Sequence, residues 1–347
     1  MKKEKCIGRF SLFLDRFTLT GMQNEFLAID NINNFPNSLI FTIFAFSFEN
    51  VSENNNLSTA IMTISSHRTS ADGLTTKRHL LPTLLVFILF CLIAAPSAAR
   101  SRSHKEPLFG KKYQKYQVRS NALKGAVFYL VSGHGGPDPG CIGKYQGKEL
   151  HEDEYAYDII LRLGRRLLEN GAKVHFIIQD EKDGIRDKYV LDNSKREKCM
   201  GKTIPLDQVA RLHQRCNAVN KLYYKDKSKY KRAIFIHVDS RTKGNRIDLF
   251  AYHAPKSKYG KRLSDNIIRT FNNEYKRHQP NRGFDGTTSA RNLYVLRNTY
   301  PVASFIEVGN IQNPFDQKRL VIPDNRQAMA NWMTEAIIRD FKQGKRL

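Results

Sequence analysis

For residues 124–347 the sequence predicts an α/β fold: a single domain on a mostly parallel twisted sheet, with helices on both faces. Three observations carry this expectation. Short β-rich apolar runs recur along the segment, and amphipathic helical patterns separate them. The runs are apolar nearly throughout instead of alternating, as strands covered on both faces should be.

In chain order, the first strand is expected at Ala126–Ser132 (AVFYLVS) and the second at Lys173–Gln179 (KVHFIIQ). Later strands are expected at Ala233–Val238 (AIFIHV), Ile247–Tyr252, Leu293–Leu296 and Val302–Val308, of which Ile247–Tyr252 alternates more than the rest. Apolar residues three or four apart predict helices over Tyr155–Leu168, Leu206–Leu222, Leu263–Tyr275 and Arg326–Phe341. Asn170 and Gly171 close the first of these with a C-terminal stop signal.

The chain ahead of this domain reads differently. The most apolar stretch, Leu80–Ala95, follows Lys77, Arg78 and His79 and is trailed by the small residues Ser97 and Ala99. A basic flank, a short apolar run and small residues are the parts of a secretory signal peptide, expected to be cut after Ala99. The run is short for the ~20 residues of a membrane span, which weakens the competing reading as a retained anchor. Signal peptides begin near a chain start, so Met62 is the expected initiator. Residues 1–61 are then a start-site artefact or disordered extension, 62–99 the signal peptide, and 100–123 a solvated basic linker. Export would carry the domain across the membrane.

Composition sets further bounds. With 15 Tyr, 21 Phe and 41% hydrophobic residues the chain is not disordered, and five Cys do not make a disulfide scaffold. Of the formal charge of +24, residues 100–347 carry 49 Lys+Arg against 26 Asp+Glu. These basic residues are scattered and accompany no DNA- or RNA-reading motif, so attraction to an anionic polymer or surface polysaccharide explains them better than specific nucleic-acid binding. Tyr223, Tyr224, Tyr230, Tyr252 and Tyr259 lie among them without an assigned role.

Open parallel sheets bind ligands beyond the carboxyl ends of their strands. There the first strand runs into Gly133-His134-Gly135-Gly136, the third carries His237, and the last carries Glu307. Catalytic zinc commonly takes two His and a carboxylate and keeps a fourth position for water. His134 and His237 supply the imidazoles, and the acidic cluster before the first helix supplies the carboxylate. Glu152 extends the buried stripe of Ala156, Ile160 and Leu163 by one turn, whereas Glu154 falls on the opposite face. Glu152 is therefore the expected ligand, with Glu154 as the alternative. Glu307 remains as a general base that takes a proton from the attacking water and passes it to a leaving nitrogen.

These residues lie in runs with a wider likeness. VSGHGGPDPGCIGKYQGKE, EDEYAYDIILRLGRRLLENGAKV, IFIHVDS, NRGFDG and LYVLRNTYPVASFIEVGNIQNPFD, in that order over roughly 126–341, resemble zinc-dependent N-acetylmuramoyl-L-alanine amidases, the cell-wall hydrolases of bacteria. The resemblance implies Zn2+ on His134, a Glu at the start of the first helix and His237, with Glu307 catalytic. It also implies cleavage of the amide between N-acetylmuramic acid and L-alanine of the peptidoglycan stem, which sets the exported domain in the periplasm or at the cell wall, with its basic charge drawn to an anionic wall polymer; a protein activator is a further expected partner. Arg282, in a stretch matching one near the family's substrate groove, is expected to meet a stem-peptide carboxylate, and Asn310 to contact substrate. HVDS stands where many members have HANA, and GN at 309–310 where many have GF. A charged insertion around 182–204 could cover the site. The competing functions are a zinc peptidase on a related fold and a non-catalytic peptidoglycan-binding protein. Cys141 is expected to be a small buried hydrophobe, while Cys199 and Cys216 could pair.

Overall fold

The computed structural model describes residues 16–19, 22–25, 103–240 and 244–344. The chain divides into two units, Met1–Pro96 and Ser97–Leu347. In the first, Arg16–Leu19 pairs antiparallel with Met22–Glu25. The expected signal peptide at 62–99 lies outside the described residues.

The second unit is built on a six-stranded sheet. Its elements are β1 (Ala126–Ser132), β2 (Ile142–Tyr145), β3 (Lys148–His151), α1 (Glu152–Glu169), β4 (Lys173–Phe176) and α2 (Gln208–Lys225). They continue as β5 (Tyr230–Asp239), β6 (Phe250–His253), α3 (Lys258–His278), β7 (Thr287–Ala290) and α4 (Tyr294–Asn298). β8 (Val302–Asn310), α5 (Pro314–Val321) and α6 (Pro323–Gly344) complete the unit. The sheet order is β7-β6-β8-β5-β1-β4. β8, β5, β1 and β4 run parallel, and β6 joins β8 antiparallel with β7 parallel to it. β2 and β3 form a separate hairpin leading into α1.

β1 is buried at every position, and its alternation sorts the two faces. Phe128 and Leu130 pack with α1, α3 and α6, whereas Val127, Tyr129 and Val131 pack with α2 and α4. The α/β fold with helices on both faces is thus as the sequence predicts. A buried ion cluster pins α1 to α6: the Asp158 carboxylate accepts from Arg162 Nε at 2.7 Å and Arg326 Nε at 2.6 Å. Removing one member would leave a buried charge uncompensated.

Three local expectations fail for identifiable reasons. Leu293–Leu296 is no strand, because β6 already occupies the free edge of β8. The segment instead enters α4, where Asn298 Nδ2 and Thr299 Oγ1 donate to the Tyr294 and Val295 carbonyls and close a single turn. The run 173–179 divides, with Ile178–Gln179 leaving the large sheet to pair with Lys198–Cys199. The expected linker is partly folded: Ser103–Lys105 pairs with Lys115–Gln117, and Phe109 and Leu123 are fully buried. Its many lysines obscure a few apolar anchors, Leu108, Phe109, Tyr113 and Tyr116, that pack on the core.

Candidate metal centre

Three segments converge at the carboxyl ends of the parallel strands. His134 follows β1 in a left-handed conformation (φ 57°), sparsely populated by non-glycine residues. The Arg215 guanidinium holds this turn by donating to the His134 carbonyl. His237 is near the end of β5, paired in register with Glu307 of β8. Both side chains fall on the sheet face that carries Phe235, Ala303 and Phe305, toward α2 and α4. Glu152 is the first residue of α1.

The structure brings His134, Glu152 and His237 together, with one ligand-type atom from each within 4.8 Å of the others. Glu152 Oε1 lies 2.9 Å from His237 Nδ1 and accepts from the Val238 amide at 3.0 Å. Its Oε2 lies 3.3 Å from His134 Nε2 and accepts from the Cys141 amide at 3.0 Å. Burial opposes its charge, but the hydrogen bonds from both imidazoles hold the Glu152 carboxyl well below its usual range. Burial also decides between the imidazoles. It keeps His237 below its ordinary value, whereas hydrogen bonds to the Asp138 and Glu152 carboxylates outweigh it at His134 and raise that ring to about 10.

Two imidazoles and a carboxylate form a donor set suited to a divalent transition metal, and the surroundings fit such an ion. Asp138 Oδ2 holds the other nitrogen of His134, Nδ1, at 2.8 Å, and Arg211 anchors Asp138 at 2.8 Å. This outer partner fixes the orientation of the ring. Phe305 stacks on His237 with centroids 4.3 Å apart. A Cβ at Gly133 would stand 2.4 Å from the His237 ring, so only glycine leaves room for it there. At Gly140, with φ 71°, a Cβ would reach Glu152 Oε2 at 2.6 Å. Sequence reasoning missed Asp138, Phe305 and Arg211. The acid four residues after His134, in HGGPD, was the one available signal.

The cluster opens into a cleft of about 330 Å³, within the size range of small-ligand sites. Glu307, Asp239 and Ser240 line it beside the two imidazoles. Leu212, Leu293, Tyr294 and Val295 give it an apolar wall, and Arg291 contributes a guanidinium whose centre is 4.8 Å from the Tyr252 ring.

Residues 129–339 match the family described as N-acetylmuramoyl-L-alanine amidase (Amidase_3). The chain belongs to this amidase family. A relative, the germination-specific N-acetylmuramoyl-L-alanine amidase of Bacillus subtilis (strain 168), is 24% identical over 241 residues, spanning 66% of this chain and 89% of the relative. Among solved structures, the amidase AmiC2 of Nostoc punctiforme is 18% identical with a TM-score of 0.45, covering 63% of this chain and 99% of that one. The CwlD amidase of Clostridioides difficile, solved with the GerS lipoprotein, is 17% identical with a TM-score of 0.46, covering 62% and 98%.

Other residues expected at the amidase site lie elsewhere. Glu154 is turned away from the imidazoles; its carboxylate accepts from Arg186 Nη1 at 2.6 Å and from the Ser194 amide. Arg282 does not line the cleft; its guanidinium donates to the fully buried Asp248 carboxylate at 2.5 Å, beside Arg319. Asn310 is fully buried, donating from Nδ2 to the Asn245 carbonyl at 2.9 Å and accepting at Oδ1 from the Gln312 amide at 2.9 Å. It shapes the loop after β8. The 182–204 insertion contributes no residue to the cleft lining. It packs behind it, where Glu197 accepts from the Gly136 amide at 2.9 Å. Cys199 and Cys216 are free, buried thiols in the same apolar cluster. Cys141 is half-buried at the cleft and donates to the Val238 carbonyl.

Proposed function

We propose that the chain is a secreted zinc hydrolase that cleaves the amide between N-acetylmuramic acid and L-alanine of peptidoglycan stem peptides. The observation that carries this reading is the convergence of His134, Glu152 and His237 beside Glu307 at the strand ends of an amidase-family domain. His134, Glu152 and His237 would hold the zinc. When bound, that ion supplies Lewis-acid polarisation of the scissile carbonyl and acidifies a water.

The chain's own side chains do the rest. The Val238 and Cys141 amides fix the position of the Glu152 carboxylate, and Asp138 orients His134. Glu307, on the strand next to His237, accepts the proton of the attacking water and returns it to the leaving amine nitrogen. The apolar wall of Leu212, Leu293 and Val295 keeps bulk water from the reacting amide. Export rests on the basic-flanked apolar run Leu80–Ala95 and places the domain where peptidoglycan is.

The test is a digest of purified peptidoglycan by the full chain, with and without a chelator, read by mass spectrometry. Free stem peptides beginning at L-alanine, lost on chelation and restored by zinc, are expected. Release of fragments cut at any other bond, or release that survives complete chelation, would refute the reading.

A further inference from the structure

Two of the tyrosines among the basic residues, Tyr223 and Tyr224, lie outside the cleft lining and cluster with Tyr300. The last turn of α2 carries Tyr223 and Tyr224, and Tyr300 follows α4. Their three rings touch pairwise, with centroids 5.8 Å (Tyr223–Tyr224), 6.0 Å (Tyr223–Tyr300) and 5.2 Å (Tyr224–Tyr300) apart. The outer two are open to solvent, Tyr224 at 72% exposure and Tyr300 at 58%. Exposed aromatic clusters carry apolar surface that water wets poorly and are a common mark of recognition sites.

The platform is built in advance of any ligand. Asn220, one turn before Tyr224, donates from Nδ2 to the Asn298 carbonyl at 2.8 Å and accepts at Oδ1 from the Tyr300 amide at 2.9 Å. That clamp fixes the Tyr300 backbone to α2, so little ordering remains to oppose binding. Lys231 lies over the Tyr223 ring at 4.0 Å and donates to the Tyr223 carbonyl.

Around the rings the charge is of one sign. Lys221, Lys225, Lys227 and Lys229 are exposed, and among the described residues none of them pairs with a carboxylate. The acid within this stretch, Asp226, is turned inward and taken by Lys173 at 2.5 Å, His175 at 2.9 Å and Tyr129 at 2.9 Å. Surface lysines alone would be solvating charge. Surrounding a fixed aromatic platform, they suit a polymer that offers ring faces together with anionic groups.

We infer that Tyr224 and Tyr300, with the lysines around them, form a non-catalytic binding site for an anionic polysaccharide, the wall glycan whose muramic-acid lactyl carboxylates are freed where stems have been cut away. The occupant rests on the proposed amidase function; the aromatic and charge complementarity does not. The geometry supports continuity between the two sites. Arg211 of α2 and Tyr294 of α4 line the cleft, and Tyr224 and Tyr300 lie at the far end of the same two elements. At 1.5 Å per residue, Arg211 and Tyr224 are separated by about 20 Å along α2. A strand held there would keep the enzyme on its polymer between cuts.

The experiment is co-sedimentation of the chelated full chain with insoluble peptidoglycan from which part of the stems has been cut, comparing wild type with Tyr224→Ala/Tyr300→Ala, Tyr224→Phe/Tyr300→Phe and Lys221→Gln/Lys225→Gln. The Ala pair is expected to lose about tenfold in affinity. The Phe pair keeps its rings and most of its binding, and the Gln pair weakens binding with a shallower salt dependence. Turnover of a small soluble muramoyl-peptide by the zinc-loaded variants stays at the wild-type level, since neither tyrosine lines the cleft.

Unchanged sedimentation of the Ala pair would overturn the inference. So would an equal loss of binding to polyphosphate, which offers charge without sugar rings. Tighter binding to a thirty-residue oligothymidylate than to peptidoglycan, lost with the same tyrosines, would make the surface a nucleic-acid site and overturn it as well. Failure of wild type to cleave the muramoyl-peptide would count against the amidase reading alone, because binding is scored without turnover.

Discussion

Two clusters of three metal-type side chains share the first turn of α1, and they have opposite characters. His134, Glu152 and His237 meet within 4.8 Å, and so do Asp153, Glu154 and Glu197. The first combines two imidazoles with a carboxylate and opens into the cleft. The second is all carboxylate and all buried, with Glu154 on Arg186 and Glu197 on the Gly136 amide. Burial bears on Glu152, Asp153 and Glu154 alike, yet with opposite outcomes. Two imidazoles hold Glu152 well below its usual range, while burial pushes Asp153 up to about 9 and Glu154 to about 7. Neighbouring positions on a helix point about 100° apart. Two steps along α1, about 200° round the helix, therefore separate a carboxylate kept charged among imidazoles, Glu152, from one that braces an insertion, Glu154.

The sharpest break of the first cluster is at its reacting edge. Glu307→Gln should lower turnover by roughly 10²–10⁴-fold while bound zinc stays stoichiometric. Steady-state kinetics beside metal analysis checks this, and loss of zinc along with turnover would make Glu307 a ligand and not a base.

The second cluster breaks differently. Glu154→Ala removes the main partner of the buried Arg186 and should cost about 3 kcal/mol in denaturant unfolding, with zinc retained. A variant of normal stability that has lost its metal would reverse the assignment of the two clusters.

Asp138→Asn gives a smaller effect on the first cluster. It keeps the shape but withdraws the charge that orients His134, so zinc affinity should fall about 10–100-fold by competition with a chelating dye. Unchanged affinity would mean that Arg211 and the backbone alone hold the ring.

Arg282→Ala should matter least. It removes one of two close guanidinium partners of Asp248, costing about 1–2 kcal/mol in stability and leaving KM unchanged. A raised KM with normal stability would restore Arg282 to substrate binding.

How much of this was legible in the sequence depended on whether periodicity carried the information. The alternation of strands and helices, and the phase that sets Glu152 apart from Glu154, are local properties of the chain. Leu293–Leu296 was misread because apolar content does not reveal that the neighbouring sheet edge is already filled by β6. The anchors at Phe109 and Leu123 were hidden by surrounding lysines, whose charges stay in solvent while the rings between them pack inward. Arg282 and Asn310 were placed at the cleft by motif position, yet Asp248 and Asn245 hold them from segments far away in sequence. Contacts of that kind have no periodic signature. Asp138 lay between the two cases, since its spacing from His134 was visible but its pairing with Arg211 was not.

The most direct test of the central claim sets neighbouring carboxylates against each other: a zinc titration of wild type, Glu152→Ala and Glu154→Ala, each also scored for stem-peptide release from peptidoglycan. The account predicts one tightly bound zinc and peptide release in wild type and Glu154→Ala, and neither in Glu152→Ala. Full zinc binding and release by Glu152→Ala, with loss of both in Glu154→Ala, would contradict it.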